Sequence, residues 1–168
     1  PDGRQSRGYA VFFSFSEETD LEIDRVLIAS PEAVWRCWSD PALFKQWFSP
    51  KPAVVDEVRL DLQPGGEFFT RMRSPKGKVV ESTGCFLALS PGRLIAYTDT
   101  LGPGFHPRGK GFLTTVIMMS ADPVGTRYIA RALHATPEQK KKHEDMGFQD
   151  GWGRVITQLG ELARQIDR

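Results

Sequence analysis

Cysteine is scarce in this chain. Two residues among 168, Cys37 and Cys85, stand far apart and without CxxC spacing, which argues against a zinc or redox site and leaves both thiols expected as reduced and packed. An excess of one charge is missing too. The 22 Lys and Arg against 21 Asp and Glu give a formal net charge of +1, too little field to attract nucleic acid or lipid headgroups. No apolar run approaches the roughly 20 residues that span a bilayer, so membrane insertion is not expected. The one leader-like stretch, Tyr9 to Phe15 behind Arg4 and Arg7, lacks a small-residue cleavage site, and a cytoplasmic location is the expectation.

What is present is material for one core. At this length a chain buries roughly 70% of its unfolded surface as a single domain. Residues 1–19 mix Gly, Ser and Arg before the short apolar run. They are read as a leader or flexible extension, with the domain spanning 20–168. Leu21 and Ile23, then Val26 and Ile28, alternate with polar residues and predict a first strand with one imperfection in register. Ser30-Pro31 and Asp40-Pro41 then each pair a capping side chain with a proline that has no N–H to lose, and predict two short helices in tandem. After Pro52 the period becomes two. Strands are expected at about 54–62, 67–73, 78–89, 93–100, 112–121 and 126–134, divided by Pro- and Gly-containing turns that favour antiparallel neighbours. The long Gly- and Pro-rich loop at 102–111 is the exception, and its composition suits a lid over a cavity mouth.

The last element begins at Thr136, where Pro137 and Gln139 complete a capping signal. Phe148, Trp152, Val155, Leu159, Leu162 and Ile166 then recur at spacings of four and three, a stripe able to lie on the sheet. Gly147, Gly151, Gly153 and Gly160 interrupt it. A break near 143–147, close backbone approach, or space left for a guest would each account for them. The resulting fold class is α+β: a curved antiparallel seven-stranded sheet wrapped around a long C-terminal helix, with two short helices after the first strand.

Particular motifs extend this reading. Pro31-Glu32-Ala33-Val34-Trp35 with Ser39-Asp40-Pro41 and Trp47, Asp61-Leu62-Gln63-Pro64-Gly65-Gly66-Glu67-Phe68, and Ser90-Pro91-Gly92-Arg93-Leu94 through Tyr97-Thr98-Asp99 follow one another in the chain. Together with His134, His143 to Phe148 and Asp150 to Gly153, they make the chain resemble the START-like, helix-grip superfamily. Within it the similarity is to a bacterial branch of proteins grouped with the activator of the ninety-kilodalton heat-shock protein ATPase. The resemblance implies a deep apolar cavity between sheet and helix, but no shared reaction.

A small hydrophobic molecule, aromatic or lipidic, is accordingly the expected partner, and no cofactor is implied. Trp38, Phe44, Trp47, Phe68, Thr70, Met72, Phe86, Tyr97, Asp99, Phe112, Phe148 and Trp152 are the candidate ligand-binding residues, each with core packing as its plainer alternative. Asp99, at a strand end before the long loop, is also a candidate proton-transfer group for a cyclase-like reaction, with His134 as a second. Its plainer role is to hold a loop N–H. His134 and His143 lack metal-ligand spacing, and packing around the helix start is expected of them. A chaperone partner is disfavoured, and self-association as a homodimer is left open.

Overall fold

Period-two alternation becomes a curved sheet because one face of each strand has a helix to meet. The computed structural model describes residues 13–167; most of the leader-like run at 9–15 lies outside them. The described strands are β1 (Leu21–Leu27), β2 (Val54–Leu60), β3 (Glu67–Arg73), β4 (Val79–Ser90), β5 (Leu94–Thr98), the two-residue β6 (Leu101–Gly102) and β7 (His106–Pro107), β8 (Thr114–Asp122) and β9 (Gly125–Leu133). Seven of them form one antiparallel sheet in the order β1-β9-β8-β5-β4-β3-β2. The meander therefore folds as expected, and the first strand joins it through β9. Register shifts at Val55/Glu57 and Phe86/Ala88 are bulges of the kind that bend a strand and deepen its concavity.

Helices α1 (Pro31–Ser39) and α2 (Pro41–Phe44) follow β1. The Ser30 hydroxyl accepts from the Ala33 N–H at 3.2 Å and the Asp40 carboxylate from the Ala42 N–H at 2.9 Å. Those two bonds satisfy N–H groups that a helix start leaves without partners. At the other end of the chain, α3 (Pro137–Asp145) and α4 (Phe148–Ile166) are separated at Gly147. Its φ of 92° lies in the left-handed region, where glycine carries no Cβ penalty. The Gln139 side chain accepts from the Ala135 N–H, one residue before the Thr136 cap, so the cap is a displaced version of the expected box.

Helix α4 crosses the concave face, turned slightly from the expected stripe. Phe148, Gly153, Ile156, Leu159 and Ala163 are its buried residues, whereas Trp152, Val155, Leu162 and Ile166 flank them partly exposed. The physical reason is close approach: a Cβ at Gly153 would stand 2.7 Å from an Arg25 guanidinium nitrogen. With no side chain there, Arg25 donates to the Gly153 carbonyl at 2.9 Å and to the Thr157 hydroxyl at 3.1 Å. Asp167 closes the far end by accepting from the Ser30 N–H and hydroxyl.

Two chain segments outside the main sheet make contacts with it. The described part of the leader, 13–19, is tied to the domain: Phe13 packs against the convex-face cluster of Leu94, Ala96 and Val116, and Lys140 donates to the Glu17 carbonyl. The 102–111 loop is pinned, not poised as a lid. Its Gly104 N–H donates to the Gly65 carbonyl at 2.7 Å, while Arg108 donates to the Thr83 and Asp99 carbonyls at 2.8 Å each.

Candidate ligand-binding cavity

Between the concave face and the first turns of α4 lies a cavity of about 270 Å³, close to the lower end of the ~300–1,000 Å³ usual for small-molecule sites. Strands supply its floor through Met72, Tyr97, Ile117, Tyr128 and Ala130; α1 and the loop after α2 supply Trp38, Trp47, Phe48 and Pro50. Gly151, Trp152, Val155 and Ile156 of α4 form the roof. Gly151 is where the helix makes room, since a Cβ there would meet nothing within 4 Å. A second lobe of about 160 Å³ adjoins the first at Phe48, Met72, Tyr97 and Trp152, and adds Phe68, Thr70, Ser82, Thr98, Asp99 and Leu113 among its walls.

The wall is rigid because its aromatic members hold one another. Trp38 meets Phe44, Trp47 and Phe48 edge-on at centroid distances of 5.7, 5.0 and 5.8 Å, and Phe68 lies edge to face with Tyr97 at 4.6 Å. Such pairs contribute about 0.5–1.5 kcal/mol each beyond simple burial. Indole N–H groups add direction: Trp38 donates to the Tyr128 hydroxyl at 3.0 Å, and Trp47 to the Cys37 carbonyl at 2.8 Å. Gln158 on α4 donates to the Trp47 and Ser49 carbonyls and accepts from the Lys51 N–H, so the helix carries the Trp47–Pro50 wall with it.

Trp38, Trp47, Phe68, Thr70, Met72, Tyr97, Asp99 and Trp152 are thus brought together around the two lobes. Phe44, Phe86, Phe112 and Phe148 are placed elsewhere. Phe44 and Phe86 are fully buried behind the wall, Phe86 stacked under Phe68 at 4.9 Å with an interplanar angle of 6°. Phe112 and Phe148 instead pack on the rings of His134 and His143. Sequence reasoning missed Phe48, Ile117, Tyr128 and Ala130. Tyr128 and Ala130 share the concave side of β9, and the pairing of an aromatic with a small residue two positions on was the available signal.

Asp99 sits at the edge of the second lobe, but its Oδ1 accepts from both the Phe112 and Leu113 N–H groups, at 2.7 and 3.0 Å. That is the strand-ending role. The other candidate proton carrier, His134, has both ring nitrogens engaged: Nδ1 with the Thr19 carbonyl at 2.7 Å and Nε2 with His143 Nδ1 at 2.8 Å. A carbonyl can only accept, so His134 carries its proton on Nδ1, and with neutral rings His143 donates across the pair. Burial, with the neighbouring His134 adding to it, pushes His143 down to about 4. Burial also pushes the cavity phenols up, Tyr97 to about 12 and Tyr128 further. The nearby Thr115 hydroxyl opposes the shift at Tyr97 without closing a hydrogen bond of its own. Cys37 rises to about 11 through burial and is no nucleophile at neutral pH.

A sheet gripping a long helix over an apolar cavity defines a helix-grip protein of the START-like superfamily. Within it, the model of the family described as Activator of Hsp90 ATPase homolog 1-like protein matches residues 28–164, and the chain belongs to that family. A crystal structure of a protein from Nitrosomonas europaea is 42% identical, with a TM-score of 0.87 over 90% of this chain and 97% of that one. One from Mycobacterium smegmatis, 23% identical over 87% of this chain and 91% of the other, has a TM-score of 0.73 and speaks to the fold alone. A Rhodobacter sphaeroides protein does likewise at 18% identity and a TM-score of 0.77, covering 90% and 96%. Comparison with curated proteins returned no match.

Proposed function

We propose that this protein binds a small, uncharged, largely aromatic molecule between its sheet and α4 without converting it. The observation that carries the reading is the composition of the first lobe: aromatic and aliphatic walls, no charged side chain, and a glycine in the roof where a side chain would otherwise project. An apolar guest there would gain roughly 25 cal/mol per Å² of apolar surface removed from solvent. A catalytic reading has less support, because the Asp99 oxygen and the two His134 nitrogens described above are already committed to protein partners.

The test is thermal unfolding against a library of hydrophobic molecules, with native mass spectrometry of gently purified protein. A ligand at 100 times its Kd should add about 2.7 kcal/mol to folding stability. Gly151→Leu should then remove the ligand response while the protein still melts cooperatively. A library that leaves the midpoint unmoved in the parent protein would overturn the reading.

A further inference from the structure

Three hydroxyl groups in and behind the cavity wall have more hydrogen-bonding capacity than the protein uses. Thr115 is fully buried on the concave side of β8, and its hydroxyl has no partner. Tyr97 is its cross-strand neighbour and borders both lobes. Tyr128 accepts from Trp38 through its oxygen, which leaves its own proton without an acceptor among the described residues. Phenols are protonated at neutral pH, and burial moves both further from ionising, so each is a hydrogen-bond donor. A buried donor left unmatched is a standing cost that a suitable guest relieves.

We propose that the ligand enters with one carbonyl oxygen directed to this wall, where it accepts hydrogen bonds from the Tyr97 and Tyr128 hydroxyls. The assignment rests on the ligand-binding reading above and names the chemical class that reading leaves unspecified. A carbonyl oxygen has two lone pairs for two donors. Thr115, behind Tyr97, donates to the Tyr97 oxygen once that phenol turns its proton to the guest. A carboxylate is disfavoured, since no Lys, Arg or His lines either lobe to offset its desolvation. A plain hydrocarbon would fill the space and leave the donors unpaired, the situation by which polar sites reject analogues.

Indane and 1-indanone share a ring frame and differ at the carbonyl, which makes them the probes. Calorimetry with the parent chain, Tyr97→Phe, Tyr128→Phe and the double variant should show the ratio of ketone to hydrocarbon affinity falling about tenfold in the double variant. The carbonyl stretch of bound 1-indanone should lie at lower frequency in the parent chain and move back in the variants. Tyr128→Phe strips the Trp38 N–H of its acceptor; if that change prevents folding, Tyr97→Phe and Thr115→Val carry the same comparison. An affinity ratio and a stretch that ignore these substitutions would overturn the carbonyl site, while indane binding would keep the cavity reading standing. Binding of neither probe to the parent chain would remove both.

Discussion

Two aromatic groups meet at Trp152, and they use similar residues to opposite ends. On one side, Trp38, Trp47, Phe48 and Tyr97 surround open space, with phenols whose burial pushes their pKa values up. On the other, Phe112, His134, His143 and Phe148 close on one another at centroid distances of 5.0 to 5.4 Å around a bonded histidine pair. The difference lies in the backbone they hang from. The filled group gathers where α3, α4 and the ends of β8 and β9 converge, and the kink at Gly147 lets Phe148 turn into it. The open group spans the wider gap between sheet and helix, and Gly151 adds no side chain to close it. Packing and cavity are therefore adjacent solutions separated by one indole.

The contrast can be broken most forcefully at Phe148. It is buried to 1% exposure in the filled group, so Phe148→Ala should cost about 3–5 kcal/mol. Trp152→Ala, on a partly exposed rim residue, should cost less and act mainly on ligand response. Equal losses in chemical denaturation would mean that both groups are simply core.

A pH dependence comes next, confined to the filled group. The folded pKa of His143, about 4, lies below its ordinary 6.5, so between those values the unfolded chain binds more protons. Stability from this group is fully present above about 6.5 and is lost as pH falls toward 4. His143→Gln should flatten the melting-temperature profile in that window. Beside the pair, Asp20 Oδ1 accepts from the His134 backbone N–H, and the Lys142 ammonium lies 5.8 Å from the Phe112 centroid. A profile unchanged by the substitution would mean that the His143 ring is not the source of the dependence. The smallest effect is expected at the margin of the cavity. Asp99→Ala removes the acceptor for two N–H groups and should cost about 1–2 kcal/mol; no measurable loss would reopen a chemical role for that carboxylate.

Much of this was legible beforehand because it is local. Ser30-Pro31, Asp40-Pro41 and Thr136-Pro137 each state a helix start through a hydroxyl or carboxylate and a missing N–H, and the turns between 52 and 126 are stated by Gly and Pro. The cavity was legible only in part. Phe68, Tyr97 and Trp152 read as wall from strand alternation and helix spacing, but the same pattern covers Phe86 and Phe148, which are core. Whether an aromatic residue lines space or fills it depends on what stands opposite, and that is not written next to it.

By itself, then, the amino-acid sequence determined the order of strands and helices, their caps, and a helix face able to cover a sheet, since each follows from backbone hydrogen bonding and side-chain period within a few residues. Tertiary structure alone decided that α4 turns its small residues to Arg25 and Leu27, that Tyr128 meets Trp38 across 90 residues, and that His134 bonds His143. Those outcomes depend on distances between elements, which the bulges and the close approach at Gly153 set and no local run of residues encodes.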